Sequence, residues 1–182
     1  MKRRIRPAIA LAVLCALACK PAHKEAETPV AAELAPGASA VLHVRWEYKG
    51  IPEEMRLHES TQADLELWAM GIVKQGQAGP IGKEIEDSDV QMKPGTSRKF
   101  LLVYSNPTDR EITFFAAPHS MHPPELSLGF KFHCLCINHV YVVPPRSRWY
   151  RMVSIDLGRE FNSQEIVVSH ALVQKDPVTY GR

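Results

Sequence analysis

The stretch RKFLLVYSNPTDREITFFA, residues 98–116, decides the fold that this sequence predicts. Both of its ends are rich in aromatic and β-branched residues, which favour strands. Between them, NPTD at 106–109 is a strong turn signal, because proline fixes one backbone angle while Asn and Asp hydrogen-bond readily to nearby main chain. The stretch therefore predicts a strand over 98–104, a turn, and a strand over 111–116.

The rest of the chain repeats this pattern of short apolar runs between turns. Apolar residues alternate over 41–48, and further β-rich runs cover 130–143, 149–155 and 165–173. Strands at this spacing predict an all-β protein, built as an antiparallel β-sandwich. Little beyond 54–67 suggests a helix. The side chains expected to form the core are Trp46, Phe100, Leu102, Phe114, Val153 and Ile155.

The N-terminus predicts export from the cytoplasm. Four basic residues among the first six precede an apolar stretch over 9–17. That stretch suits the core of a signal peptide but is short of the roughly 20 residues that span a bilayer. Ala16-Leu17-Ala18 is a processing site that places cleavage before Cys19. We therefore expect residues 1–18 to be a signal peptide.

A cysteine directly after the cleavage site indicates a lipoprotein, anchored to the membrane by a lipid on Cys19. Plain secretion and an uncleaved N-terminal anchor are the alternatives. Removing residues 1–18 leaves 18 of the 22 basic residues against all 20 acidic ones, a net charge of −2. That charge gives no indication of nucleic-acid binding. We expect a periplasmic, envelope-associated protein.

The mature chain divides into two parts. Residues 19–39 are rich in Ala, Glu and Pro without apolar periodicity, and predict a disordered, flexible tether. Residues 40–182 are then one β-sandwich domain. Only Cys134 and Cys136 fall within it, too few for a framework of disulfides, so the domain must depend on its apolar core.

Cys134 and Cys136 are the residues with the clearest chemistry. In a strand, side chains two residues apart project from the same face, with Cα atoms about 6.6 Å apart. That is close to the upper limit for a disulfide, but it suits two thiolates that converge on one soft ion. Zinc prefers four ligands, whereas two or three suffice for Cu(I). The pair therefore predicts a Cu(I) site, and a second copy of the domain would supply a four-sulfur site.

Other metal-binding side chains lie nearby in the sequence. His119, Met121 and His122 sit in a Pro-rich segment from which they could reach the cysteines as additional ligands. Strand alternation places Phe130 and Phe132 on the face of the cysteines, and the histidines at 133 and 139 on the other face. Lone histidines such as His170 are more often surface or packing residues.

These motifs resemble the CtaG family, periplasmic copper-delivery factors that assemble cytochrome c oxidase. The likeness covers roughly 92–156: the NPTD turn at 106–109, a proline pair at 123–124, KFHCLCI at 131–137, VPP at 143–145, and an aromatic strand that ends in Asp156. The resemblance implies an immunoglobulin-like β-sandwich, in which Cys134 and Cys136 bind Cu(I) for transfer to the oxidase. Leu135 and Ile137 stand where the family has Phe.

Two function classes follow. The first is an exported metallochaperone that delivers Cu(I) to a haem-copper oxidase subunit or to another copper-carrying protein. The second is an envelope accessory lipoprotein that uses the sandwich to bind a protein partner without metal. We expect no enzymatic activity, because no catalytic Ser/His/Asp or Cys/His order stands out. Thiol redox chemistry is disfavoured, because such sites usually have Cys-x-x-Cys at the start of a helix, whereas the pair here is Cys-x-Cys.

The lipoprotein prediction is tested by Cys19→Ala. The substitution removes the thiol that would carry the lipid, so we expect the precursor to remain unprocessed or the protein to leave the membrane fraction. Cell fractionation with mass spectrometry of the N-terminus measures both. Unchanged membrane attachment, with residues 1–18 retained, would instead indicate an uncleaved anchor.

Overall fold

The computed structural model describes residues 32–74, 76–135 and 139–175, and its regular structure is almost entirely β. The described elements are twelve strands and two short 3-10 helices, Glu86–Ser88 and Pro124–Ser127. The strands are β1 (Ala40–Lys49), β2 (Met55–Ser60), β3 (Met70–Lys74), β4 (Ile81–Glu84), β5 (Asp89–Met92), β6 (Ser97–Ser105), β7 (Ile112–Ala116), β8 (Ser120–His122), β9 (Phe130–His133), β10 (Val140–Val143), β11 (Ser147–Leu157) and β12 (Glu165–Gln174).

The strands form two sheets of six, which confirms the all-β sandwich. The first sheet has the order β10-β7-β12-β1-β5, and β8 also pairs with β12. The second has the order β3-β11-β6-β2-β4, and β9 also pairs with β11. Pairing is antiparallel except between β1 and β12, which run parallel over nine residue pairs. Strand β2 occupies part of 54–67, so the suggestion of a helix there is wrong.

Aromatic side chains fill the space between the sheets. Phe114 lies at the centre, with ring centroids 5.3 Å from Tyr104, 5.3 Å from Tyr141 and 5.7 Å from Trp149. Five of the six expected core side chains are fully buried, and the sixth, Trp46, is half-buried against the same cluster. The alternation of apolar residues therefore identified the interior of the domain.

The run FLLVY at 100–104 is buried on both faces of its sheet. Its outward residues, Leu101 and Val103, pack with Met152 beneath the loop that precedes β3. That loop is joined to β11 by main-chain bonds from Trp68 to Met152 and from Met152 to Ala69. Because this loop covers the outer face of β6 while the other sheet covers its inner face, the run is continuously apolar rather than alternating.

The turn predicted at 106–109 is present, but the strands that it joins, β6 and β7, belong to different sheets. Buried Asn106 organises it. Its side-chain nitrogen donates to the carbonyls of Arg110, Val143 and Pro144 at 2.8–3.0 Å, and its oxygen accepts from the backbone N–H of Thr108 at 2.9 Å. One side chain thus ties two connections together at this end of the sandwich.

The last residues of the predicted tether lie against the domain. Glu33 forms a β-bridge with Ser163, and Gln164 donates its backbone N–H to the carbonyl of Ala32 at 2.9 Å. Leu34 packs against the core. The ordered part therefore begins before Ala40, whereas residues 1–31, including Cys19, lie outside the described residues.

The central position of Phe114 generates a stability prediction. Phe114→Ala should lower the free energy of unfolding by about 3–5 kcal/mol, because it removes a large buried ring and leaves a cavity. Val142→Ala is the surface control, since Val142 is 45% exposed and truncation of its smaller side chain should cost under about 1 kcal/mol. Urea unfolding of the two variants measures the difference, and equal losses would contradict the assigned core.

Candidate metal centre

Strand β12 carries the first of three converging side chains, His170. The inward residues of this strand are Ile166, Val168, His170 and Leu172, all buried. His170 is fully buried, and parallel pairing with β1 places it beside Trp46. The two rings stack at 5.2 Å between centroids with 22° between their planes.

A β-bulge places the second side chain, His119, opposite His170. Strand β12 pairs Leu172 with Ala116 of β7 and Val168 with Met121 of β8. Between these two pairs the chain advances four residues along β12 but five residues from β7 to β8. The extra residue reverses the alternation, because Ala116 points inward in β7 whereas Met121 is the inward residue of β8. His119 consequently faces the interior, with its ring 5.3 Å from that of His170. Bulges commonly redirect side chains in this way near functional sites.

The third side chain is Cys134, which follows directly after β9 in the second sheet. Phe130 and Phe132 point inward, and Cys134 continues their series with 4% of its surface exposed. The strand ends at His133, however, and Leu135 in the next bend is also buried. The chain is passing from the second sheet to the first, where β10 pairs with β7. The prediction of one regular strand over 130–143 is therefore wrong, and Cys136 lies outside the described residues.

These three side chains bring their ligand atoms together between the sheets. Cys134 Sγ lies 3.4 Å from His119 Nδ1, and one ligand atom from each of His119, Cys134 and His170 lies within 4.8 Å of the other two. With metal–sulfur and metal–nitrogen bonds of about 2.3 and 2.05 Å, sulfur and nitrogen on one ion would stand about 3.6–3.8 Å apart. The cluster is therefore close to the dimensions of a metal site.

Aromatic rings enclose the cluster. Phe132 lies 5.5 Å from His170 and 5.9 Å from His119, and Phe130 lies 6.5 Å from His119, between ring centroids. Trp46 covers His170 from the side of β1. A small ion fits such an enclosure, whereas the burial of Cys134 and His170 leaves almost no surface for an organic substrate to approach. The arrangement is suited to holding an ion away from water.

The other predicted ligands divide by the face on which they lie. Met121 is half-buried, packs against the core, and lies on the same side of the sheet as His119. His122 is exposed on the opposite face of β8. His133 points outward as the alternation predicts, where its Nε2 lies 3.0 Å from Asp156 Oδ2. Exposed His139 packs its ring against Tyr141, 4.9 Å away.

A buried guanidinium lies behind the bend at Leu135. Arg151 is 4% exposed, and its Nη1 donates to the hydroxyl of Tyr141 at 3.0 Å. That hydroxyl donates to the carbonyl of Leu135 at 3.4 Å. Among the described residues, no carboxylate forms an ion pair with Arg151, and its Nε has no hydrogen-bond partner. A positive charge is therefore held inside the domain next to the segment that contains the cysteines.

Sequence reasoning missed His170, which it treated as a surface or packing residue. The signal was available in the alternation of β12, where a histidine occupies an inward position between Val168 and Leu172. A buried imidazole needs a polar partner, so a histidine at such a position is a candidate metal ligand. The inward orientation of His119 had no such signal. Strict alternation from Phe114 and Ala116 would instead have predicted that Pro118 and Ser120 point inward.

Comparison with known proteins identifies a family. Residues 40–175 match the family described as Domain of unknown function (DUF8709). This chain belongs to that family. Neither the curated proteins nor the solved structures give a match. The family match spans all twelve strands and every side chain of the cluster. Within the described residues, no helix is long and apolar enough to cross a membrane.

The outward-facing charges at Asp156 generate a pH prediction. The hydroxyl of Ser97, which donates to this carboxylate, and the neighbouring His133 hold the pKa of Asp156 below its ordinary value. A carboxyl whose pKa is lowered on folding stabilises the folded protein at pH values above its unfolded pKa of about 3.9. This stabilisation is lost as the pH falls through the lower pKa of the folded state. Ser97→Ala should therefore lower the free energy of unfolding at pH 7 more than at low pH.

Unfolding measured across pH checks the effect of Ser97→Ala. The control is Ser120→Ala, which removes an exposed hydroxyl in β8 and should give a difference that does not change with pH. A constant deficit in Ser97→Ala would show that the hydroxyl acts only through packing and not through Asp156.

Proposed function

We propose that this protein is an exported copper carrier that holds Cu(I) at His119, Cys134 and His170 and passes it to another protein. The observation that carries the proposal is the convergence of one sulfur and two nitrogen ligands within 4.8 Å in the interior of the sandwich. They come from three separate segments, so local sequence does not account for their meeting. The proposal assigns carriage to the protein rather than catalysis.

Copper fits this donor set better than the other common metals. Thiolate sulfur is a soft ligand and imidazole suits copper, zinc, iron and nickel, whereas calcium and magnesium prefer oxygen. The three described ligands suffice for Cu(I), whereas structural zinc would need a fourth ligand from outside the described cluster. Cu(I) bound by one thiolate and two neutral imidazoles has no net charge, which suits an enclosure of aromatic rings.

Two further soft ligands extend the proposal. Cys136 follows two residues after Cys134 and would offer a second thiolate during transfer, in addition to the three resident ligands. Met121 would offer a thioether from the same sheet face as His119. Exchange among sulfur ligands would pass Cu(I) to a partner without releasing the ion into water.

The destination of the copper is proposed from the sequence. The signal peptide and Cys19 indicate the cell envelope, with a lipid anchor on the periplasmic side. The resemblance to the CtaG family suggests a haem-copper oxidase subunit as the recipient, and another copper-carrying protein is the alternative. A four-sulfur site shared by two copies does not fit this cluster, because Cys134 is buried between the sheets of its own domain.

An exposed apolar strip favours the second candidate function, an accessory lipoprotein that binds a protein partner without metal. Trp68, Met70 and Ile72 are 41–53% exposed along and before β3, which forms one edge of the second sheet. An unpaired sheet edge with apolar side chains is a surface on which another chain can dock. In this reading the buried cluster only packs the interior.

Chelator competition distinguishes the two candidates. The reduced, metal-free protein is titrated anaerobically with Cu(I) against a colorimetric chelator. We expect about one Cu(I) per chain, bound less tightly as pH falls because protons compete for the thiolate. Cys134→Ser should weaken binding by at least about 100-fold, since loss even of an outer hydrogen-bond partner commonly costs 10–100-fold. His119→Gln and His170→Gln should weaken it by about 10-fold or more.

His122→Gln is the matched control, because it changes a histidine on the opposite face of β8 and should leave affinity unchanged. Circular dichroism verifies that each variant folds. Equal, weak competition by wild type and by the double variant Cys134→Ser, Cys136→Ser would refute the copper carrier and leave the partner-binding lipoprotein.

A further inference from the structure

The cluster consists of two imidazoles and one thiol, a set that is not restricted to Cu(I). Imidazole nitrogen is a good ligand for Cu(II), and thiolate sulfur is a good ligand for Cu(I). Trigonal sites of two His and one Cys, with a distant thioether, hold copper in both oxidation states in electron-transfer proteins. Here the thioether has a candidate in Met121, on the same sheet face as His119.

We infer that His119, Cys134 and His170 also bind Cu(II), so that the protein carries a one-electron Cu(II)/Cu(I) couple. This inference rests on the proposed copper site and adds a redox activity to it. In the reduction, the bound ion gains one electron from an external one-electron donor, which is oxidised by one electron. The thiolate of Cys134 is a ligand before and after the step and forms no disulfide.

The distances in the cluster fit a three-coordinate centre better than a linear one. Cys134 Sγ and His119 Nδ1 are 3.4 Å apart. Ligand atoms at opposite ends of a linear centre would be about 4.3 Å apart, against about 3.8 Å at a trigonal one, from bond lengths of about 2.3 and 2.05 Å. All three separations are at most 4.8 Å, so ligand atoms would have to move by about 1 Å or less to reach the separations of about 3.6–3.8 Å around a three-coordinate ion.

The scaffold restricts how much the ligands can move when the charge on the ion changes. His170 lies within β12, between hydrogen-bonded neighbours on both sides, and His119 is fixed by the bulge against the same strand. Cys134 follows β9, which is paired with β11 in the other sheet. A close-packed core resists rearrangement, so one geometry should serve both oxidation states.

The enclosure favours the reduced state. With one thiolate and two neutral imidazoles, the Cu(I) centre is neutral and the Cu(II) centre carries one positive charge. Burial among Trp46, Phe130 and Phe132 penalises the charged form. The reduction potential should therefore be higher than that of a solvent-exposed copper site.

One ligand reaches towards solvent. His119 is half-buried, whereas Cys134 and His170 are almost completely buried, and the residues on either side of His119 are exposed. The electron would enter and leave at this side of the domain. A partner in this exchange would be a one-electron carrier that approaches the β7–β8 bulge.

Spectroscopy with Cu(II) alone tests the inference on the full mature chain. One equivalent is added anaerobically to reduced, metal-free protein, and visible absorption and electron paramagnetic resonance are recorded. We expect an intense sulfur-to-copper charge-transfer band and a Cu(II) signal. Ascorbate should bleach both, ferricyanide should restore them, and a thiol titration after the cycle should find no loss of thiol.

Variants separate this centre from a site built on two thiolates. Cys136→Ser should keep the charge-transfer band, because it leaves the described ligand set intact. Cys134→Ser should abolish the band, and His119→Gln and His170→Gln should abolish it or shift it strongly. If His170→Gln does not fold, Cys134→Ser and His119→Gln still decide the result. His122→Gln should behave as wild type.

The outcomes distinguish this inference from the proposed function. Tight Cu(I) binding in the chelator assay without a charge-transfer band, or with loss of two thiols when Cu(II) is added, would overturn the redox couple but leave the Cu(I) carrier. Loss of the band in Cys136→Ser would also overturn it. Absence of both Cu(I) and Cu(II) binding would remove the copper site altogether.

Discussion

The register of β12 is the constraint on which the candidate site depends. Parallel pairing with β1 sets Trp46 beside His170, and antiparallel pairing with β8 sets His119 on the other side, so three rings form one row across the first sheet. A slip of one residue in either pairing would turn His170 to the outer face, because successive side chains in a strand point to opposite faces. The buried Ile166, Val168 and Leu172 on the same strand oppose such a slip.

The second sheet completes the row from the opposite side. Pairing of β9 with β11 brings Phe132 and then Cys134 against the two histidines, and the chain then leaves for the first sheet. A metal ion bound here would therefore join the two sheets through side chains. Metal binding should consequently raise resistance to unfolding, since a ligand that binds only the folded state stabilises it. The same packing that builds the interior builds the site.

The sequence predicted the sandwich and placed Cys134 on the strand face of Phe130 and Phe132, because both follow from alternation over short runs. The structure adds that this face points into the sandwich. The sequence did not predict that the chain changes sheets between β9 and β10, because an apolar run has the same pattern whether it lies in one sheet or passes between two. The sequence also did not predict that His119 points inward. One extra residue between Ala116 and Met121 reverses the alternation, and bulges of this kind have no simple sequence signature.

Arg151 is linked through the Tyr141 hydroxyl to the residue that follows Cys134. Burying a guanidinium without a carboxylate is costly, and a hydrogen bond to Tyr141 and the ring of that tyrosine, 5.8 Å from the guanidinium carbon, offset only part of the cost. The chain from Arg151 through Tyr141 to the Leu135 carbonyl ends at the residue after Cys134. These hydrogen bonds fix the backbone next to Cys134, so they help to hold its side chain in place between the sheets.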